Sequence, residues 1–161
     1  MGKGFVIFET AVTGLTEFIP LLEQTGQWLW DKGIKQWKPG YFVENRSELE
    51  RLVENGRLIL TYQADKLAGG CILTATENGM YLSALAVARF AAGQDVGDQI
   101  IDHCIQVTRT SGKKYLRLDC WDGNDFLKSY YRQAGFTMRE TIPEGDYYVR
   151  LFELDVEAAA S

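Results

Sequence analysis

The sequence predicts an α/β (α+β) domain: a mixed, mostly antiparallel sheet of about seven strands with four helices and a central parallel pair. Three observations carry this. Residues 80–87 form an apolar run with little alternation, as expected of a strand covered on both faces. Directly after a turn, Val96, Ile100, Ile101, Cys104 and Ile105 draw one stripe on a helix, and residues 115–121 then alternate as a further strand. A strand, helix and strand in that order make parallel neighbours, while short β-rich runs punctuated by Gly, Asn and Pro on either side make antiparallel hairpins.

Taken from the start, residues 4–9 are a short β-rich strand. Leu15, Phe18, Ile19, Leu22 and Leu29 mark a helix over 14–31, with Pro20 expected to kink it. Residues 32–45 read as a loop, because Gly33, Pro39 and Gly40 break the periodicity, but Trp37, Tyr41 and Phe42 make it too aromatic for a spacer. Ser47-Glu-Leu-Glu50 has the form of a capping box that opens a short helix, closed by Asn55-Gly56. Strands follow at 57–62 and 67–75 around the turn Gln63-Ala-Asp-Lys66, and Asn78-Gly79 has the chemistry of a type I′ turn into the central strand. Gly112 ends the helix that starts at Val96, with Arg109 placed to complement its dipole. On the strand at 115–121, Leu116, Leu118 and Cys120 share a face. Asn124 to Ala134 is a helix with Phe126, Leu127, Tyr130, Tyr131 and Ala134 inward, and residues 136–142 and 147–154 form a last hairpin around Pro143-Glu-Gly-Asp146.

With 161 residues, 46% hydrophobic and 24% charged, the chain supports one domain, over 1–155, with a frayed tail at 156–161. A net charge of −5 without a Lys/Arg cluster argues against a nucleic-acid surface and mildly favours cationic partners. Cys71, Cys104 and Cys120 lie far apart in apolar segments, and the single His103, off the stripe of its helix and expected at the surface, leaves no Cys/His zinc pattern. Reduced core thiols fit a cytoplasmic protein with no metal. No apolar run reaches membrane-spanning length, Glu9 interrupts the only N-terminal apolar stretch, and Val6 stands where a myristoylation signal needs Ser or Thr.

The sharpest chemical hint is the turn before Val96. A helix start presents backbone N–H groups without intrahelical partners and the positive end of the macrodipole, so a glycine-containing turn there can receive a phosphate or pyrophosphate. The same strand, turn and helix also occur as a plain connection.

The element order, with Leu85-Ala-Val87 before the turn, Tyr115-Leu-Arg-Leu-Asp-Cys-Trp-Asp-Gly-Asn124 after the helix and Tyr130-Tyr-Arg-Gln-Ala-Gly-Phe136, resembles the GNAT superfamily of acyl-CoA-dependent acyltransferases over nearly the whole chain. The loop Gly33-Ile-Lys-Gln-Trp37 is similar to one in bacterial members. The phosphate turn departs from the family pattern of Arg or Gln, two residues, Gly, one residue, then Gly or Ala: Ala92, Asp95 and Gly97 stand at those positions. Either Asp95 points outward and Gly93, Gln94, Val96 and Gly97 still offer their N–H groups, or its carboxylate caps the helix and competes with a phosphate.

The resemblance implies acetyl transfer from acetyl-CoA, as cosubstrate, to a primary amine by direct attack. On that reading Leu85, Ala86 and Val87 hold the thioester and pantetheine through their backbone, and residues Ala92, Gly93, Gln94, Asp95, Val96, Gly97 and Asp98 take the pyrophosphate. Asn124 contacts the pantetheine arm, and Tyr131 protonates the departing thiolate. With ordinary pKa values of about 10 for Tyr and about 8.5 for a thiol, that transfer is uphill by only ~2 kcal/mol. Trp37, Tyr41 and Phe42 are expected to wall the acceptor pocket, since aromatic rings stack on apolar or cationic amines. Glu77, Asp119, Asp122 and Glu153 are the carboxylates available as a general base, with a water chain as the alternative. The expected partners are a small-molecule or peptide amine, with no nucleic acid and no membrane, and pairing of two copies is left open. A non-catalytic acyl-CoA sensor and a cofactor-free interaction module are the competing functional classes on the same fold.

Overall fold

The computed structural model describes residues 4–158. In chain order the elements are β1 (Phe5–Thr10), α1 (Leu15–Asp31), α2 (Tyr41–Glu44), α3 (Arg46–Glu54), β2 (Gly56–Gln63), β3 (Lys66–Ala75), β4 (Gly79–Val87), α4 (Val96–Thr110), β5 (Tyr115–Trp121), α5 (Asp125–Gln133), β6 (Thr137–Glu144) and β7 (Tyr147–Asp155). The seven strands form one sheet in the order β1-β2-β3-β4-β5-β7-β6. All neighbours are antiparallel except β4 and β5. The strand count and the central parallel pair are as the sequence predicts, with a fifth helix in addition.

Period-two alternation places one apolar set on each sheet face. Ile59, Cys71, Leu73, Leu82, Leu116, Leu118, Cys120 and Phe152 pack beneath the stripe of α4. Leu58, Leu60, Ile72 and Ala86 pack on the other face beneath Leu15, Phe18 and Leu22 of α1 and Leu49 and Val53 of α3. The site described below lies at the seam between β4 and β5, with α4 on one face and α1 and α2 on the other.

Several local expectations are corrected. Residues 32–45 are not loop throughout: α2 forms because the Glu23 carboxylate of α1 accepts the N–H groups of Gly40, Phe42 and Val43 at 2.8, 2.8 and 3.2 Å, supplying from a distance the cap that the local sequence lacks. The Ser47 capping box does not form. Helix α3 starts at Arg46 without a side-chain cap, and the Glu50 carboxylate turns to the Arg46 guanidinium instead. Asn78-Gly79 is not a type I′ turn, because neither residue has the positive φ that such a turn requires. Gly79 is needed for a different reason: a Cβ there would lie 2.5 Å from the Tyr115 carbonyl of β5. Pro20 falls inside α1 as expected, and the helix runs on to Asp31. Phe126 is not inward but 75% exposed, on the outer face of α5. Val156 is fully buried and pinned, its N–H donating to the Lys114 carbonyl and its carbonyl accepting from Arg109 Nε, both at 2.9 Å. Val156 is therefore not part of a frayed tail, and residues 159–161 lie outside the described residues.

Candidate active site at the β4/β5 seam

The parallel ladder between β4 and β5 pairs only Gly79 with Tyr115, Met80 with Leu116 and Tyr81 with Arg117. Past Tyr81 the two strands have no register partners in common, so the seam opens toward the ends of β4 and β5. The opening coincides with an irregularity on the other side of β4. The register with β3 shifts between Gly70 and Ile72, leaving Ala84 and Leu85 unpaired, and Ala84 takes a left-handed φ of 56°. A bulge of this kind bends the strand and increases its local twist. Beyond it the Ala88 N–H returns to the Ala68 carbonyl at 2.7 Å. Alternation then turns the Val87 N–H away from β3, into the seam. Leu85, Ala86 and Val87 are thus a short length of strand whose backbone is partly free for a ligand.

The turn between β4 and α4 supplies the second feature. Gly93 has φ 78° with nothing near its Cα hydrogens, and Asp95 is itself left-handed at φ 65°. Asp95 flanks the start of α4, yet its side chain makes no cap; only its carbonyl is used, accepting from the Gln99 N–H at 3.0 Å. The N–H groups of Gly93, Asp95, Val96, Gly97 and Asp98 have no partner among the described residues, while Gln94 N–H reaches the Ala91 carbonyl at 3.3 Å. An unpaired row of N–H groups at the N-terminus of a 15-residue helix is a site for an anion. Of the two arrangements of Asp95, the one in which its carboxylate caps the helix is not observed.

Helix α5 carries Asn124 and the tyrosine pair. Asn124 is 2% exposed; its Oδ1 accepts the Leu127 N–H at 3.1 Å, and its Nδ2 donates to Gln36 Oε1 at 3.1 Å. Tyr131 is buried between Phe136 and Phe152, with ring centroids 6.0 and 5.5 Å away, and its hydroxyl has no hydrogen bond among the described residues. Burial, and then the neighbouring Cys120 thiol, push its phenol well above the ordinary tyrosine range. Burial also pushes the Cys120 thiol up to about 12. Tyr130, expected inward on its helix, reaches the phosphate turn: its hydroxyl donates to Asp98 Oδ1 at 2.5 Å and lies 2.9 Å from where a Gly97 Cβ would be.

On the α1 and α2 side the three aromatic residues do different things. Phe42 is buried at 3% exposure and meets Trp37 edge-on at 5.1 Å, and Trp37 packs over the Gly26 backbone of α1. Tyr41 is 45% exposed and meets Phe42 edge-on at 5.2 Å. Below them, register puts Tyr81, Asp119, Trp121, Val149, Tyr147 and Glu144 on one sheet face.

Of the four carboxylates suggested by the sequence, three are accounted for elsewhere. Glu153 pairs with Arg117 and Arg139 at 2.9 and 3.3 Å, and Asp122 pairs with Arg150 and Lys128 at 3.0 and 3.4 Å. Arg150 first of all holds the Asp122 carboxyl below the usual range. Glu77 is exposed in the turn at the closed end of the seam. Asp119 differs from these: it is half-buried, takes the Tyr81 hydroxyl as donor, and has no cationic partner among the described residues. Burial raises its pKa, Glu144 adds to the rise, and Tyr81 only partly offsets it. Neither Tyr81 nor Gln36 was singled out by sequence; each acts through a contact far along the chain, of which the pattern of residues gives no sign. His103 is half-buried, its Nε2 against Glu9 at 2.9 Å.

Among the described residues no helix is long and apolar enough to cross a membrane, and no group of three or more His, Cys, Asp and Glu side chains is arranged to hold a metal.

A family model described as acetyltransferase (GNAT) family matches residues 22–136. The N-acetyltransferase YesJ of Bacillus subtilis (strain 168), itself uncharacterized, is 27% identical, with 86% of this chain and 83% of that one covered. A GNAT-family acetyltransferase from Listeria monocytogenes 4b F2365 superposes with a TM-score of 0.72 at 25% identity, covering 96% of this chain and 98% of the other. The PaiA N-acetyltransferase of Thermoplasma acidophilum, solved with coenzyme A, gives 0.76 at 17% identity over 94% and 98% of the two chains. A GNAT acetyltransferase from Elizabethkingia anophelis, solved with acetyl-CoA bound, gives 0.71 at 15% over 95% and 99%.

Proposed function

The chain belongs to the acetyltransferase (GNAT) family, and on that premise we propose that it moves the acetyl group of acetyl-CoA to a primary amine by direct attack. The observation that carries this is the row of unpaired N–H groups at the start of α4 beside the open seam. The two together offer a pyrophosphate site and a slot for an extended amide-containing arm in one continuous line. That a CoA complex and an acetyl-CoA complex occur among proteins of this fold supports the reading.

In the proposed reaction the turn 92–98 takes the pyrophosphate, and the backbone of Leu85 to Val87 binds the arm and the thioester carbonyl. Asp119 is the base: it is the carboxylate left without a cation, and its raised pKa brings it closer to the acidity of the group it must deprotonate. The amine gives its proton toward Asp119, its nitrogen takes the acetyl carbon, and the C–S bond breaks with the sulfur receiving the Tyr131 proton. Burial makes Tyr131 a weaker acid than ordinary tyrosine, which by itself increases the cost of that last transfer. Removal of the sulfur from water weakens a thiol too, so acid and leaving group shift in the same direction.

The free, buried state of all three cysteines fits a reducing compartment, and we place the protein in the cytoplasm as one domain that runs on through the buried Val156. The test is binding followed by turnover. At a hundredfold excess over its dissociation constant acetyl-CoA adds ~2.7 kcal/mol of stability, a rise in melting temperature of about 5–11 °C at this size. No shift at millimolar acetyl-CoA overturns the reading. A shift without release of free thiol in the presence of any primary amine leaves an acyl-CoA sensor in its place.

A further inference from the structure

Gln36 lies in the segment between α1 and α2, yet its carboxamide crosses to the far wall of the seam. Its Oε1 accepts two hydrogen bonds, from the Trp121 N–H at 3.2 Å and from Asn124 Nδ2 at 3.1 Å. The Trp121 N–H points into the seam, since the next one along, that of Asp122, points the other way to the Tyr148 carbonyl of β7 at 2.9 Å. The polarity of this arrangement is fixed from outside. The Leu127 N–H needs an acceptor as α5 begins and takes Asn124 Oδ1, so Asn124 presents its NH2 to Gln36. Two donors then converge on one Gln36 atom, which must be the oxygen. The Gln36 NH2 is left with no partner among the described residues, on a carboxamide held at the open end of the seam where β4 and β5 have parted.

We propose that Gln36 Nε2 donates a hydrogen bond to a carbonyl oxygen of the acyl-pantetheine arm of the cosubstrate. The group offered is a pure donor held by its own oxygen, so its partner must be an acceptor, and the carbonyls of the arm are the strongest acceptors it carries. The assignment rests on the acetyl-CoA reading above and adds a side chain from the acceptor-side segment to a cofactor slot whose β4 wall is backbone. Gln36 precedes Trp37, which packs on Phe42, so binding of the arm also orders the segment that faces the amine.

The experiment is calorimetric titration of the wild type, Gln36→Glu and Gln36→Met with acetyl-CoA, with CoA, and with adenosine 3′-phosphate 5′-diphosphate, the nucleotide half without the arm. Gln36→Glu keeps an oxygen for Trp121 and Asn124, so its ligand-free melting temperature stays at the wild-type value, while the donor is gone. Acetyl-CoA affinity is expected to fall about tenfold, with affinity for the nucleotide half unchanged. Gln36→Met, which lacks the donor and adds no charge, is expected to show the same ordering of ligands. A loss shared by CoA assigns the bond to an amide carbonyl of the arm, and a loss confined to acetyl-CoA assigns it to the thioester carbonyl. Wild-type acetyl-CoA affinity in both variants, or an equal loss for the nucleotide half, overturns the assignment. A wild type that fails to bind acetyl-CoA overturns the acetyltransferase reading itself, an outcome distinguishable from the previous one.

Discussion

Asp119 shows how one side chain's surroundings select it for chemistry. Its half-buried carboxyl is favoured in the neutral form by folding, because burial and the nearby Glu144 raise its pKa. The sign of the consequence follows from linkage: an acid whose folded pKa lies above its unfolded value contributes stability below the unfolded pKa and loses it as pH rises through the folded one. At neutral pH the charged Asp119 is therefore a cost to stability, one that the proposed role as base would account for. Asp119→Asn is expected to keep or slightly raise the melting temperature at pH 7 while lowering kcat roughly a hundredfold. It is also expected to remove the rising limb of the pH–rate profile, which in the wild type lies above the ordinary carboxylate range. A variant with the wild-type limb intact would transfer the role of base to water. Tyr131→Phe is expected to lower kcat with acetyl-CoA affinity unchanged, since the hydroxyl makes no ground-state hydrogen bond among the described residues. Tyr130→Phe acts differently, through Asp98. Without the hydroxyl that holds it, the Asp98 carboxylate is free to swing toward the helix N-terminus, and a several-fold weaker Kd for acetyl-CoA at unchanged kcat is expected.

At the scale of the element, the turn into α4 and the segment between α1 and α2 separate what the sequence shows from what it does not. The length of α4, its stripe and the strand of residues 115–121 were legible because burial of one face imposes a period that survives any partner. The capping box at Ser47 and the turn at Asn78-Gly79 misled because local chemistry was outbid: Arg46 claims Glu50, and Gly79 is required by the approach of Tyr115 rather than by a turn. Asp95 was legible as a departure but not in its consequence. In the left-handed region with no cap to make, it bears backbone strain without the compensating hydrogen bond. Asp95→Gly is thus expected to gain about 0.5–1 kcal/mol by denaturant unfolding and to tighten acetyl-CoA binding, where a cap would have predicted a loss of stability. The aromatic residues between α1 and α2 divide in the same way. Phe42→Ala is expected to cost about 3 kcal/mol or more as a core truncation, and Trp37→Ala to lower the melting temperature with it. Tyr41→Ala is expected to leave stability near wild type and to raise the Michaelis constant for the amine several-fold.

In the whole molecule, two half-sheets, β1 to β4 and β5 to β7, meet along a ladder only three residue pairs long. The closed end is sewn shut by more than the ladder. The Asn78 carbonyl accepts the Lys114 and Tyr115 N–H groups at 3.1 and 3.3 Å, Asn78 Oδ1 accepts from Arg117 at 3.0 Å, and Lys113 Nζ reaches the Thr76 carbonyl at 2.8 Å. Toward the open end the Tyr81 hydroxyl donates to Asp119 of β5, and Gln36 is anchored to β5 and Asn124, but no backbone ladder joins the two strands. A cosubstrate bound in the open end as proposed would touch β4 on one side and the α5 half on the other, adding a link between the halves beyond the side-chain bonds there. Gly79→Ala tests this coupling from the closed end. The added methyl meets the Tyr115 carbonyl at 2.5 Å and must push the strands apart, at a cost of about 1–3 kcal/mol as in other overpacked sites. If the halves are coupled through the seam, that displacement also misaligns the slot, although it lies at the far end of the ladder from the phosphate turn. Acetyl-CoA affinity is then expected to fall several-fold in Gly79→Ala, and by reciprocity saturating acetyl-CoA raises the melting temperature of the variant less than that of the wild type when both are measured at the same ligand concentration. An unchanged Kd together with the full stability loss would show instead that the two ends of the seam move independently and that the slot is set by the bulge at Ala84 alone.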